Sequence, residues 1–391
     1  MYDFTKSSDR TYTNAQKYVA REKLFKKADI NPVWVADMDI DSPPFVIEDL
    51  KQRLSHPILG YEDFPDTALK AQRDWINMLH RKSYKLEDMI FSPTIIASIN
   101  IAIQSFTSCS DSIIVQTPVY PPFFNSVKNN KRELLLNPLK QDINGKYYID
   151  IDDFKNKIKP NTRLFILCNP HNPVGHTWSQ EELEEIVDIC KKNNILIFSD
   201  EVHCDLVYKP FKHTPTTLIK GASDITISAY GIGKTFNLSG MNISTVIIEN
   251  EDLKKQFNKT LDNIHFARGN SLGHIAMQSA YVNGFTWVRE LKEHLYQNYL
   301  DLESMLANYS HLIKITPLEA TYLAWLDCKG MNLGDNKLND FFIQEANLGL
   351  SRGLNFGRAG SGFMRLNFAV SREQMEVIIK QLETALDEFK K

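Results

Sequence analysis

The chain has 391 residues, of which 43% are hydrophobic and 24% charged, and its formal net charge is −3. This composition is ordinary for a globular protein of one large or two smaller domains, and the charge gives no reason to expect nucleic acid or a membrane surface as a partner. No apolar run is long enough for a membrane span, and the N-terminus carries no signal-peptide pattern. Five widely spaced cysteines without a Cys-x-x-Cys pair indicate reduced thiols, so we expect a cytoplasmic protein.

The N-terminal region predicts an arm followed by two helices. Residues 1–30 are polar and suit an irregular arm that leads into a short helix. The proline pair 43–44 suits the first turn of a helix, with Ser42 as its cap, and apolar positions at helical spacing extend this helix over 45–55. A second amphipathic pattern covers 66–82.

A strand end at 89–93 leads directly into an apolar helix that begins at Thr94. The first turn of a helix has free N–H groups and the positive end of the helix dipole. A helix start that follows a strand is therefore able to bind a phosphate. Most helix starts bind nothing, so this feature alone is weak.

Between residues 110 and 250, short apolar runs alternate with helical patterns. The apolar runs are 112–116, 164–167, 195–198, 225–228 and 245–248. Such runs predict a largely parallel sheet that is buried on both faces. Functional residues of a sheet of this kind cluster at the carboxyl ends of its strands.

The composition shifts after residue 286 toward a small α+β unit. Its predicted elements are helix 287–307, strand 321–327, strand 362–369 and helix 371–389. We therefore predict a large domain over 49–286 and a small domain formed by 1–48 together with 287–391.

The chemically most informative stretch is 226–240, where a β-prone run leads through glycines to Lys234. A lysine held at a strand end in a desolvated place shifts its pKa and forms Schiff bases readily. The tripeptide 233–235, Gly-Lys-Thr, also resembles the end of a nucleotide phosphate loop. That motif requires its first glycine at position 228, which is a serine. The phosphate-loop interpretation is therefore disfavoured.

Three further strand ends carry polar or aromatic side chains. They are 117–124, 168–175 and 199–203, which follow the first, second and third apolar runs. Each alone is typical of a turn stiffened by proline or of a capping acid. Together with Lys234, in this order on one sheet, they predict a catalytic edge. His203 beside Cys204 falls short of the three or four convergent ligands that a metal site needs, so no metal is expected.

These segments, taken together, resemble the pyridoxal-phosphate enzymes of the aspartate-aminotransferase fold (fold type I). Within that fold the chain resembles the MalY/PatB group of cystathionine β-lyase-like C–S lyases. The matching segments are 34–39, 60–61, 117–120, 169–175, 199–203, 234–240, 322–325 and 365–367. Segment 34–39, Trp-Val-Ala-Asp-Met-Asp, is the one that favours the lyase group over ordinary aminotransferases.

The resemblance implies an α/β fold with a mostly parallel central sheet in the large domain and a smaller α+β domain. It implies pyridoxal 5′-phosphate as the cofactor and a homodimer with shared active sites. The implied reaction is β-elimination of S-substituted L-cysteines, such as cystathionine or cysteine S-conjugates, to a thiol, pyruvate and ammonia.

The resemblance also assigns roles around the cofactor ring. Asp200 would face the ring nitrogen, Asn172 would donate to the ring 3′-oxygen, and Tyr120 would lie on the ring face. His203 stands three residues after the aspartate, as in the lyase group. Lys234 would carry the cofactor as a Schiff base and then act as the catalytic base for the Cα proton of the substrate.

Further roles concern the phosphate and the substrate. The backbone at Ile95 and Ile96 would bind the cofactor phosphate, and Tyr61 would reach the phosphate in the partner subunit. Arg365 would bind the substrate carboxylate with its planar fork, next to Tyr120. No residue of segment 265–271 receives a role, although by resemblance it lies near the partner's site.

The phosphate region departs from the family pattern. Gly231 and Gly233 stand where a small polar residue or alanine and a serine are usual, and Thr94 replaces a glycine or serine. Asn242 stands where aminotransferases have an arginine, and the lyase group also lacks that arginine. Either the N–H groups of the glycines substitute for the missing side chains, or the affinity for the cofactor is lower.

Two alternatives to a lyase remain open at the level of sequence. An aminotransferase on the same scaffold would differ only after the Cα proton has left. A regulatory protein that kept the fold is hinted at by the two glycines before Lys234. The nature of the S-substituent is not identified by the sequence.

Overall fold

The computed structural model describes residues 2–265 and 269–389. Its α-helices are α1 Gln16–Val19, α2 Arg21–Phe25, α3 Pro44–Leu54, α4 Asp66–His80, α5 Ile95–Phe106, α6 Pro122–Asn129, α7 Ile151–Lys157, α8 Gln180–Lys192, α9 Ile232–Thr235, α10 Glu251–Asn263, α11 Ser271–Asn283, α12 Phe285–Ala307, α13 Asp335–Gln344 and α14 Arg372–Phe389. Within the described ranges, no helix combines the length and the apolar character needed to cross a membrane.

The strands form one large sheet, one sheet of four strands and two small pairs. They are β1 Asn31–Pro32, β2 Met89–Ser92, β3 Ser112–Thr117, β4 Glu133–Pro138, β5 Lys140–Gln141, β6 Tyr147–Tyr148, β7 Thr162–Cys168, β8 Leu196–Asp200, β9 Thr226–Gly231, β10 Ser244–Ile247, β11 Lys314–Ile315, β12 Leu323–Asp327, β13 Leu348–Gly349, β14 Ser351–Arg352 and β15 Phe363–Asn367.

The large sheet has seven strands in the order β2-β10-β9-β8-β7-β3-β4. The pairs from β9 to β4 are all parallel, whereas β10 is antiparallel to both of its neighbours. The predicted α/β fold with a mostly parallel central sheet is therefore confirmed. Strand β4 was not predicted from the sequence, because its residues alternate between buried and exposed positions at the sheet edge.

The four-stranded sheet, in the order β11-β12-β15-β14, is antiparallel. Helices α12 and α14 contribute buried leucines to the same hydrophobic core, as expected for an α+β unit. That core also contains Trp75 and Phe236, which lie within the predicted large domain. The boundaries at 48/49 and 286/287 therefore stay a prediction.

Helix α3 begins one residue later than the capping argument requires. Its N-cap is Pro43, which offers no side-chain cap, and Pro44 occupies the first turn. The prediction of Ser42 as the cap is wrong. The Ser42 hydroxyl instead donates to the carbonyl of Asn237 at 3.1 Å, because the chain before α3 packs against the turn that follows Lys234.

Candidate active site

The carboxyl ends of the central strands surround a cavity of about 180 Å³. Because parallel strands end at the same edge of the sheet, residues far apart in sequence meet there. The predicted residues that line this cavity are Ile95, Ile96, Tyr120, Asn172, Asp200, His203 and Lys234. Two predicted residues do not line it: Arg365, which is buried, and Tyr61, which is 97% exposed. Arg268, in the segment near the expected partner site, lies outside the described residues.

Lys234 is held in α9, a single helical turn that directly follows β9. Burial lowers the pKa of its ammonium to about 8, and the charge of Arg365 acts in the same direction, whereas Asp37 and Asp200 oppose it. The Lys234 Nζ donates to the carbonyl oxygen of Ala36 at 2.7 Å. The amine is therefore both easier to deprotonate than an exposed lysine and fixed in direction.

Asp200 is the last residue of β8 and is buried. Burial raises the pKa of its carboxyl to about 7, although the Val202 N–H donates to Oδ1 at 3.1 Å and the charge of Lys234 acts in the opposite direction. A buried carboxylate with so little compensation is suited to a cationic ligand group.

Arg365 lies directly behind Asn172, on β15 of the smaller sheet. Its NH1 donates to Asn172 Oδ1 at 3.0 Å and its NH2 donates to the Trp34 carbonyl at 2.7 Å, while its buried Nε has no partner among the described residues. Burial lowers the pKa of the guanidinium to about 10. Because Arg365 occupies the oxygen of Asn172, the amide N–H₂ of Asn172 is left to donate into the cavity.

Two aromatic side chains complete the walls of the cavity. Tyr120 is partly exposed, and burial raises the pKa of its hydroxyl. Burial lowers the pKa of His203 to about 3, with help from the charges of Lys234 and Arg365, so its imidazole is neutral. Within the part of the chain that the structure describes, the buried Nδ1 atom of His203 has no hydrogen-bond partner.

One end of the cavity is formed by the start of α5, as predicted. Thr94 caps this helix, and its hydroxyl accepts from the Ala97 N–H at 3.1 Å. The N–H groups of Ile95 and Ile96 belong to the first turn, where no helix carbonyl can accept them. They are therefore available to an anion.

The wall of the cavity that contains Ser239 shows why glycines stand at positions 231 and 233. A Cβ atom on Gly233 would lie only 3.0 Å from the Ser239 hydroxyl oxygen, and one on Gly231 would lie 3.3 Å from the Cβ of Ser244. Ser239 thus occupies the space where a side chain at 233 would extend; it is one of the residues that line the cavity, and its hydroxyl donates to the Gly233 carbonyl at 3.1 Å. The sequence reasoning missed Ser239, and the only signal for it was a polar residue on the turn after Lys234.

Two more contributors to the site were also missed. The carbonyl of Ala36 accepts from Lys234, and it accepts from the Tyr322 hydroxyl at 2.9 Å. Cys168 lines the cavity with a thiol whose pKa is raised by burial. A backbone carbonyl carries no signature in the sequence, so Ala36 could not have been found by residue type.

Comparison with known proteins places this geometry in a family. Residues 35–382 match the family model described as aminotransferase class I and II. Cystathionine beta-lyase PatB of Bacillus subtilis is 35% identical over 387 residues, covering 98% of this chain and 100% of that protein.

Solved structures give the same result. A PLP-bound putative aminotransferase from Clostridium difficile is 36% identical with a TM-score of 0.96, covering 99% of this chain and 100% of that one. A PLP-bound C–S lyase from Staphylococcus hominis is 31% identical with a TM-score of 0.91, covering 99% and 98% of the two chains.

Proposed function

Because this chain belongs to the aminotransferase class I and II family, we propose that its cavity performs pyridoxal-phosphate chemistry on amino acids. The protein is a carbon–sulfur lyase that cleaves S-substituted L-cysteines, of the cystathionine or cysteine-conjugate type, to a thiol, pyruvate and ammonia. The observation that carries the proposal is the placement of Lys234, with its lowered pKa, in one buried cavity with Asp200 and with Asn172, behind which Arg365 lies. Relatives named as a cystathionine beta-lyase and a C–S lyase support the reaction type.

The cavity fits pyridoxal 5′-phosphate at both ends. Burial raises the pKa of the Asp200 carboxyl, and a protonated ring nitrogen would supply a positive charge that stabilises its ionised form. The free N–H groups of Ile95 and Ile96 offer donors to the phosphate. When bound, the cofactor takes up the electron pair released when a bond at the substrate Cα breaks.

The protein's own groups would then divide the work. Arg365 would bind the substrate carboxylate, and its contact with the Asn172 oxygen leaves the amide N–H₂ of Asn172 to donate to a group in the cavity. Lys234 accepts the Cα proton at Nζ, because burial has already lowered its pKa to about 8. Asp200 would hold a positively charged ring nitrogen through a charge-assisted hydrogen bond. Tyr120 and neutral His203 enclose the reacting groups.

A lyase and an aminotransferase share the removal of the Cα proton and differ in the next bond change. In the lyase reaction the Cβ–S bond breaks and the thiolate leaves with the bonding pair. The S. hominis neighbour named as a C–S lyase supports this outcome, and the C. difficile neighbour named as a putative aminotransferase keeps the other as the second candidate.

The proposal includes a cytoplasmic homodimer with shared active sites. Tyr61 is the residue whose position supports it, because its ring is 97% exposed and lies outside the cavity of its own chain. A surface pocket with a volume of about 610 Å³ lies close to the loop that carries Tyr61, and its lining includes Arg53, Glu62 and Val282. In the dimer, Tyr61 would contribute to the phosphate site of the other subunit.

The test is a measurement of pyruvate and free thiol from S-alkyl-L-cysteines, with and without added pyridoxal phosphate. Equal release of both products is the expected result, and the ranking of substrates would define the S-substituent. Absence of both products, with an added keto acid aminated instead, would reject the lyase in favour of the aminotransferase.

A further inference from the structure

Two cations of the N-terminal arm bind two carboxylates of segment 34–39. Lys17 Nζ lies 3.0 Å from Asp37 Oδ1 and 2.9 Å from Asp39 Oδ2, and Lys17 is fully buried. Arg10 bridges the same two residues, with 2.7 Å from NH2 to Asp37 Oδ2 and 2.7 Å from NH1 to Asp39 Oδ1. We call these four residues the N-terminal clamp.

Segment 34–39 is also the backbone that touches the reactive groups. The Ala36 carbonyl accepts from Lys234 Nζ at 2.7 Å, and the Trp34 carbonyl accepts from Arg365 NH2 at 2.7 Å. These two carbonyls thus contact both the proposed catalytic base and the proposed carboxylate-binding residue. None of the clamp residues contributes to the wall of the active-site cavity.

The segment cannot fix its own conformation. Apart from a single bridge at Asp39, residues 34–39 belong to no helix or strand, so their backbone groups depend on side chains from elsewhere. The clamp supplies part of that support directly, because Lys17 Nζ donates to the Asp37 carbonyl at 3.1 Å and Arg10 NH1 donates to the Met38 carbonyl at 3.1 Å. Other side chains support the same segment: Asn367 donates to the carbonyls of Val35 and Asp37, and Asn237 binds both the N–H and the carbonyl of Met38. The hydroxyls of Ser351 and Tyr322 donate to the carbonyls of Trp34 and Ala36.

We infer that Lys17 and Arg10 are positioning residues for the reaction. By binding Asp37 and Asp39, they fix the carbonyl groups of Ala36 and Trp34. These two carbonyls in turn orient the amine of Lys234 and the guanidinium of Arg365. The inference rests on the proposed function, since it concerns the groups that remove the Cα proton and bind the substrate carboxylate. The Ala36 carbonyl is the acceptor that holds the amine of Lys234 whenever that amine is free.

The physical reason is the cost of an unpaired buried charge. Without Lys17, Asp37 and Asp39 would lie close together with one cation fewer, and the segment would shift to bring them toward water. A displacement of about 1 Å at the reacting groups is able to lower a rate by about 10²-fold. The side chains of the cavity itself would be unchanged, so binding of the cofactor would be retained.

The test compares Lys17→Met, which keeps the length of the side chain and removes its charge, with a matched control. Lys254 is also buried and also binds two carboxylates, with 2.7 Å to Asp88 and 2.8 Å to Glu251. Asp88 precedes β2, at the end of that strand remote from Thr94. Lys254→Met therefore removes a comparable ion pair away from the cavity.

The first readout is the exchange of the Cα hydrogen of L-alanine for deuterium in D₂O, followed by proton NMR. Beyond the bound cofactor it needs only proton transfer and carboxylate binding, so it reports on the positioning residues even if the protein is not a lyase. Pyruvate release from an S-alkyl-L-cysteine, the dissociation constant of pyridoxal phosphate and the thermal midpoint are measured in parallel. Failure of the wild-type protein to release pyruvate would reject the lyase function alone.

For Lys17→Met we expect a fall of about 10- to 100-fold in exchange rate and in kcat/KM, with the cofactor dissociation constant within about threefold of the wild-type value. Lys254→Met should lower the thermal midpoint while keeping the exchange rate. Equal exchange rates in the two variants would overturn the inference, as would absence of exchange in the wild-type protein. If Lys17→Met does not fold, the same measurements on Arg10→Met test the inference. Arg10 is partly exposed, so we expect this variant to fold. Its exchange rate should fall at least fivefold, and an unchanged rate would overturn the inference.

Discussion

Two buried polar regions lie on either side of the end of β8, and they differ in how fully the carboxylate of each region is hydrogen-bonded. In the active-site cavity, Asp200 has one backbone donor and a pKa raised to about 7. One residue later, Glu201 points to a buried polar cluster, where it accepts from His213, Tyr230 and the Thr216 N–H at 2.8, 2.5 and 3.1 Å. Burial alone would raise the pKa of Glu201 as well, but these donors hold it below its ordinary value.

The difference separates a ligand site from scaffold. A buried carboxylate that the protein satisfies by itself contributes to folding, whereas one left short of partners is stabilised by something that binds. Unpartnered nitrogens do not separate the two regions, since the described residues include Arg365 Nε and His203 Nδ1 at the cavity and also His213 Nδ1 beside Glu201. Asp200 and Glu201 are adjacent acidic residues whose side chains lie on different sides of the strand end. They therefore have different surroundings and serve different purposes.

The largest effect should come from Lys234→Ala. Turnover should fall by at least about 10²–10⁴-fold, because the group that moves the Cα proton is gone, and the visible absorbance of the lysine-bound cofactor should disappear with it. Lys292→Ala is the control, since burial lowers the pKa of Lys292 too, but this lysine lies on α12 outside the cavity. Full activity of Lys234→Ala would refute the proposed function.

The next largest effect compares Asp200→Asn with Glu201→Gln. Asp200→Asn should lower kcat by about 10²–10³-fold, as for other charged groups placed against developing charge, with a small change in thermal midpoint. Glu201→Gln should cost about 1–3 kcal/mol of stability, since it leaves buried donors without their acceptor, and it should keep most of the activity. Loss of activity in Glu201→Gln, with loss of stability in Asp200→Asn, would mean that Glu201 belongs to the ligand site and Asp200 to the scaffold.

Arg365→Ala should act on substrate binding more than on turnover. Loss of a charged hydrogen-bond partner is worth about 1.5–3 kcal/mol, so KM should rise by about 10- to 100-fold with a smaller change in kcat. Arg365→Lys keeps the charge but loses the fork, and it should recover only part of the affinity. A KM equal to that of the wild-type protein would contradict the carboxylate-binding role.

The two carboxylates should also give opposite pH dependences of stability in the protein freed of cofactor. The folded-state pKa of Asp200 is raised, so its favourable contribution is complete below its ordinary value near 4 and is lost as the pH rises through about 7. Between these two pH values, this contribution to the free energy of unfolding falls by about 1.4 kcal/mol per pH unit. The lowered pKa of Glu201 gives a contribution that is present above its ordinary value and lost as the pH falls.

Thermal midpoints of the cofactor-free protein at pH 5 and pH 8 check this contrast. Asp200→Asn should stabilise the cofactor-free protein at pH 8 relative to wild type, and should do so much less at pH 5. A stabilisation of equal size at both pH values would show that the carboxyl does not titrate between them.

The smallest effect should come from Gly233→Ser, which restores the usual family residue. Its Cβ would lie 3.0 Å from the Ser239 hydroxyl, so the turn has to shift and cofactor affinity should fall by about two- to fivefold rather than rise. Combining it with Ser239→Gly should return the affinity to near its original value. Tighter binding by the single variant would show that Ser239 does not substitute for the missing serine.

The sheet and the edge at which the site forms could be predicted from residue order alone. Apolar runs report burial, and polar residues at the end of each run identify the strand ends, so the sequence is enough to place Asp200, Asn172 and Lys234 on one edge. The family resemblance then supplied the cofactor and the reaction as expectations, and the matches to known proteins confirm the family and the fold.

Which groups touch one another depends on the tertiary fold. The contact between Lys234 and the Ala36 carbonyl spans 198 residues of sequence, and the contact between Arg365 and Asn172 joins the two sheets. The direction of β10 and the contact of Ser42 with Asn237 likewise came from packing. The physical reason is that residue type encodes burial and local turn preference, whereas the aim of a backbone carbonyl depends on every long-range contact that fixes the chain around it.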